Sequence, residues 1–122
     1  MAAELEPVEA GLWAILDTYR DRLVTGSIYG MPTLTRPGAK AHGYFAGVSL
    51  AERHVSLHLM PIYHDPSLLD GISPALRTCV SGKATLKFRA VDEAVFADLE
   101  TLVTRSFEAY IAAGQAHERE RR

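Results

Sequence analysis

His42, His54, His58 and His64 crowd into one stretch of a chain that has five histidines, with Glu52, Asp65 and Asp70 interspersed or close behind. Imidazole nitrogens and carboxylate oxygens are the ligand types of Zn and Fe sites, and imidazole is also the side chain that exchanges protons near neutral pH. The spacing matches no known metal motif, so two uses compete: a metal site, or the polar lining of a pocket. Val55, Leu57 and Leu59 alternate with His54, Ser56, His58 and Met60, the period-2 signature of a half-buried strand. His54 and His58, four residues apart on one strand, are separated by about 13 Å and cannot share a small ion.

The stretch from Ala41 to Met60 reads as a hairpin with strands Ala41 to Val48 and His54 to Met60, joined by the loop Ser49 to Arg53. Holding Phe45 on the face of Leu57 across a tight loop places either Tyr44 or His42 opposite His58. His42 and His58 are neighbours in both registers, with Cβ atoms about 5 Å apart if paired and about 7 Å if diagonal. A metal on His42 and His58 needs a third ligand from outside the hairpin, with His64 or Asp65 nearest. An organic ligand would instead meet Tyr29, Met31, His42, Tyr44 and His58 on the same side of the sheet, with Lys83 as a structural or ligand-facing cation.

Three shorter patterns carry less chemistry. Ser81-Gly82-Lys83-Ala84-Thr85 resembles the end of a phosphate loop, but Arg77 stands where the first glycine belongs and Ala84 where Ser or Thr follows the lysine. Gly82 is expected at positive φ, at the entry to a strand. Gly47-Val48-Ser49-Leu50-Ala51 is one residue from a nucleophile elbow, yet its serine begins a hairpin loop rather than a strand-to-helix turn. Cys79, with no histidine nearby in sequence, reads as a small buried filler.

Lys and Arg number 13 against 15 Asp and Glu, and the net charge of -2 produces no field that would gather nucleic acid or an anionic membrane. The single cysteine suggests a reducing compartment. The acidic start, Met1 to Pro7, lacks the basic and apolar blocks of a signal peptide, and no apolar run approaches the roughly 20 residues of a membrane span. A cytoplasmic protein is expected. At 122 residues, 48% of them hydrophobic, the chain can bury one core as a single domain, here about residues 7 to 113 with a charged, frayed tail from 115 to 122.

The elements that must position these residues follow from periodicity and punctuation. Leu12, Ile15, Leu16, Tyr19 and Leu23 recur at helical spacing, which predicts a helix from Pro7 to about residue 24, ended by Gly26. Ser27 to Thr35, interrupted by Gly30 and Pro32, reads as an edge strand or one broken by a bulge. Asp65-Pro66 and Ser73-Pro74 each open a short helical turn, and Gly71 separates them. Ala84 to Arg89 alternates as a last strand. Asp92 caps a helix whose stripe is Phe96, Leu99, Leu102, Val103, Phe107, Tyr110 and Ile111, with Gly114 at its end. The fold class is α+β: an antiparallel sheet of about four to five strands, with the N- and C-terminal helices packed on one face.

Tyr29-Gly30-Met31-Pro32, Gly43-Tyr44-Phe45-Ala46 leading into His54-Val55-Ser56-Leu57, and Gly82-Lys83-Ala84-Thr85-Leu86-Lys87-Phe88 together resemble the successive signatures of the bacterial YdhG-like domain family, over roughly residues 10 to 111. The resemblance implies an α+β domain of unknown function with no catalytic residues to carry over. Some members are labelled frataxin-like iron chaperones, which implies acidic iron-binding surfaces; here Asp17 and Asp21 mix with Arg20 and Arg22. The expectation is a non-catalytic binding module for a small ligand or a metal, Fe or Zn, on the sheet face. A homodimer or interaction module that buries the same face is the alternative, and an iron chaperone a third. An enzyme ranks behind the binding and interaction modules, because the sequence does not single out an acid, base and nucleophile set.

Overall fold

The computed structural model describes residues 2 to 39 and 43 to 120. Five strands form one antiparallel meander in the order β1-β2-β3-β4-β5. They are β1 (Val24–Ile28), β2 (Met31–Thr35), β3 (Tyr44–Leu50), β4 (Val55–Leu59) and β5 (Thr85–Phe88). The helices α1 (Ala2–Asp17) and α4 (Glu93–Glu120) flank the sheet in sequence, and α2 (Met60–His64) and α3 (Pro74–Arg77) lie between β4 and β5. Leu34, Ala46, Val48, Val55, Leu57, Leu59, Leu86 and Phe88 line one sheet face and join Leu12, Leu16, Leu99, Leu102, Val103 and Phe107 in a single core. The fold is α+β, with both terminal helices on that face.

The first helix begins and ends earlier than its apolar spacing predicts. It runs from Ala2 to Asp17 with Pro7 inside it, and Leu5 and Val8 are already in the core. Tyr19 and Leu23 reach the core from a short 3-10 turn, Arg20–Arg22, because residue 24 must already be extended to pair with Thr35. The stretch after it is a complete hairpin rather than one broken strand. Tyr29 and Gly30 form its two-residue turn, both at positive φ (52° and 79°), the conformation whose twist matches antiparallel strands. Pro32 is tolerated in an interior strand because the β2–β3 ladder begins only at Thr33.

The capping signals hold. Asp65 accepts from the Ser67 N–H, Ser73 from the Leu76 N–H, and Asp92 from the N–H groups of Ala94 and Val95. Gly71 and Gly82 both lie at positive φ, 83° and 79°. Gly114, expected to end the last helix, sits inside it. A Cβ there would lie 3.0 Å from the Arg36 Cδ, so the glycine makes room for Arg36 across the helix, which continues to Glu120.

α4 is fastened to the sheet by Tyr110. Its hydroxyl donates to the Gly43 carbonyl at 2.6 Å and accepts from the Arg36 N–H at 2.9 Å, gripping both sides of the β2–β3 connection. Tyr110→Phe leaves these two part-buried backbone groups without their partner. The expected cost is about 1–3 kcal/mol, read as a lower urea midpoint at unchanged slope; a midpoint equal to the wild type would show that the hydroxyl carries no net stability.

Candidate functional site

Opposite the core, the outer sheet face is built from short side chains. Pairing runs Gly26–Thr33–Gly47–His58–Thr85 straight across all five strands. Ser49 opposes Ser56, which opposes Lys87. His58 stands in the middle of this hydroxyl-rich surface. Ser49 Oγ lies 3.2 Å from its Nε2 and Thr85 Oγ1 lies 3.2 Å from its Nδ1, so one ring nitrogen donates to a hydroxyl and the other accepts from one.

The register that makes this cluster differs from the one expected. Gly47, rather than Tyr44 or His42, is opposite His58, and Val48 is opposite Leu57. The reason is a bulge. Leu34 pairs with Ala46 but Thr35 with Tyr44, so Phe45 is a surplus residue in β3. Phe45 and Ala46 are both buried in the core, and the alternation used to set the hairpin does not pass through them unchanged. The loop also falls at 51–54, closed by the Ala51 N–H on the His54 carbonyl, which leaves Ser49 inside the strand.

The residues expected to gather around His58 are therefore dispersed. Met31 is on the outer face, with its Cε 2.8 Å from where a Gly47 Cβ would stand, so the glycine lets the methionine lie flat on the sheet. Tyr44 is buried beside Thr35, and its burial raises the phenol above its ordinary range. Tyr29 is at the tip of the first hairpin and 91% exposed, away from the centre of the face. Lys83 places its Nζ 5.7 Å over the ring of Tyr63, whose other neighbour is the exposed His64. His42 and its proposed pairing with His58 lie outside the described residues. Among the described residues no three His, Cys, Asp or Glu side chains come together to hold a metal. With both nitrogens of His58 engaged by hydroxyls, a metal there would have to displace one of them.

Ser49 and Thr85 are the partners that sequence reasoning missed. Thr85 was legible in principle, as an outward residue of an alternating strand. Ser49 was hidden by the assignment of its position to the loop. A serine on one imidazole nitrogen has the outline of an activated nucleophile, but a threonine hydroxyl stands where a carboxylate would stabilise an imidazolium. Burial favours the neutral ring further, lowering the His58 pKa from the ordinary 6.5. The site is suited to holding neutral hydrogen-bonding groups rather than to taking a proton.

The sign of this shift sets a pH dependence. The unfolded chain takes up the histidine proton more readily than the folded one, so stability is highest when His58 is neutral in both states. It falls as pH drops below the ordinary value of 6.5 and levels off below the lower folded value. His58→Gln is expected to remove this part of the slope in urea midpoints measured between pH 8 and pH 4 (about the histidine range). An unchanged slope, or an imidazole NMR titration at or above the ordinary value, would contradict the assignment.

No family model, no curated protein and no solved structure matches this chain, so its function must be argued from this geometry.

Proposed function

We propose that this protein is a cytoplasmic, non-catalytic binding module of the YdhG-like kind, which holds a small polar ligand on the outer face of its sheet around His58. The observation that supports this reading most is the half-buried imidazole held at both nitrogens by Ser49 and Thr85, on the face opposite the terminal helices. Antiparallel sheets commonly leave one face to water, but such a face is usually varied and charged. Here the middle of the face is Gly, Ser, Thr and His, and the hydroxyls of Ser49 and Thr85 can exchange their hydrogen bonds to His58 for a ligand's at little steric cost. The neutral ring favours uncharged donors and acceptors, such as an amide or a polyol. No helix among the described residues is long and apolar enough to cross a membrane.

A thermal-shift screen of uncharged metabolite-sized amides and polyols, repeated with Zn and Fe, tests this. Compounds that raise the wild-type melting temperature are expected to lose that effect in Ser49→Ala and in His58→Gln. Equal shifts in wild type and both variants, or a screen in which only the metals act, would overturn the proposal.

The edge strand β1 favours a second reading, a homodimer. In a hairpin with a two-residue turn, the flanking pair Ile28–Met31 exchanges hydrogen bonds, so Thr25 and Ser27 direct their N–H and C=O groups away from β2. This edge is exposed from Val24 to Ser27 and carries no charge or proline. The other edge is already covered: the Lys87 N–H donates to the Cys79 carbonyl and the Ser81 N–H to the Thr85 carbonyl. A single free edge can pair with its own copy only about a two-fold axis, which closes at two chains. Light scattering on the wild type is expected to give a dimer and Thr25→Pro a folded monomer, because that proline removes an outward N–H without touching the β1–β2 ladder. A wild-type monomer, or a Thr25→Pro dimer, would rule out pairing through β1.

A further inference from the structure

A cavity of about 610 Å³ opens on the far side of the molecule from the β1 edge, between β5, the segment 78–81 that covers it, and the start of α4. Its size is that of a small-molecule site. Val80 and Val95 contribute apolar surface, Thr78 and Ser81 hydroxyls, and Cys79 a half-buried thiol. Its charged groups are Lys87, Arg89 and Asp92. Asp92 is already committed, since one carboxylate oxygen accepts from both the Ala94 and Val95 N–H groups at the helix start. Lys87 belongs to β5 and Arg89 follows the strand's end at Phe88, and both side chains are exposed at the cavity. Neither side chain has a hydrogen-bond or ion-pair partner among the described residues, where Arg20–Asp17 is the ion pair formed.

We propose that this cavity binds a small organic anion with an apolar body, its carboxylate, phosphate or sulfonate held by Lys87 and Arg89 and its body against Val80 and Val95. Charge complementarity sets the class of ligand. Two unmatched cations at the mouth of a partly apolar cavity favour an anion, and the third charge is opposed by the helix end it caps. The dimensions exclude a polyanion as the natural occupant, and the chain's net charge of -2 does not attract one. The cavity shares no lining residue with the hydrogen-bonded trio of His58, Ser49 and Thr85, although Lys87 stands two residues from Thr85 on the outer side of β5: the trio offers neutral hydroxyls, the cavity positive charge beside mixed polar and apolar walls.

Cys79 is the chain's single cysteine and lines the cavity, so its alkylation reports occupancy directly. Burial, with a further contribution from the Asp92 charge, holds the thiol above its ordinary pKa, so N-ethylmaleimide reaction is followed at mildly alkaline pH. The probe is anilinonaphthalene sulfonate, an aryl body carrying one anionic group, and its control is phenylnaphthylamine, which has the body without the charge. The sulfonate is expected to slow alkylation of the wild type, and the neutral control to do so much less. Lys87→Ala with Arg89→Ala is expected to weaken sulfonate binding about tenfold or more, as when a charge-assisted contact is lost. A fluorescence titration of the same proteins gives the affinity independently of thiol reactivity. Both side chains are exposed, so the variants are expected to keep the wild-type circular dichroism; if the double variant does not fold, the single variants Lys87→Gln and Arg89→Gln decide. Equal protection by the charged and neutral probes, or sulfonate affinity unchanged by loss of the two cations, would overturn the proposal.

Discussion

Where β2 passes from Leu34 to Thr35, β3 spends three residues, Tyr44, Phe45 and Ala46. The surplus Phe45 turns into the core beside Ala46, and aromatic residues of α4 and of the turn after α1 close around it. Tyr19 stacks on Phe107 with ring centroids 4.4 Å apart, Phe45 meets Phe107 edge-on at 5.3 Å, and Tyr110 lies 5.5 Å from Phe45. Without the bulge, strict alternation would put Phe45 or the pair Ala46 and Val48 on the wrong face, at about 1.5–3 kcal/mol for each large apolar side chain exposed. The bulge lets all three be buried. Tyr110 then ties the same region from above, so the seat of α4, the end of α1 and the bend of β3 are one structural arrangement.

The outer face inherits its chemistry from that bend. Because β3 resumes regular alternation after Ala46, Gly47 and Ser49 face outward, and Gly47 lies opposite His58. The missing side chain at Gly47 is filled by Met31 from β2. Ser49 and Thr85 approach the imidazole from the strands on either side, and the ring is satisfied without a charged partner. A core requirement on one side of the sheet thus determines which residues meet on the other.

The two edges of the sheet are treated differently, and each treatment leaves a surface of its own. At β5 the chain doubles back through Cys79 to Ser81 and covers the edge. It leaves a cavity between this cover and the start of α4, in which Lys87 and Arg89 meet no counter-charge among the described residues. At β1 the edge is short, uncharged and exposed. A covered edge with an adjoining cationic hollow suits a small charged ligand, whereas a bare edge suits another strand.

What the sequence determined by itself was local. The stripe from Phe96 to Tyr110 and its Asp92 cap, the Asp65-Pro66 and Ser73-Pro74 openings, the positive φ of Gly82 and the existence of the β3–β4 hairpin all follow from periodicity, capping and turn chemistry within a few residues. The α+β class follows from their order. What the tertiary structure decided was where regularity is broken. α1 stops at Asp17 although Tyr19 and Leu23 continue its spacing, because Val24 is drawn into the sheet. Gly114 lies inside the helix, where its missing side chain makes room for Arg36. β3 bulges at Phe45 because rings from α4 and from Tyr19 after α1, distant in sequence, leave a place for an inward phenylalanine. That bulge changes the parity by which a hairpin register is read, so Ser49 and Thr85, rather than Tyr44 or His42, stand as the partners of His58. Alternation is a property of one strand, whereas a bulge is a compromise among all the elements packed against it, and only their assembly reveals it.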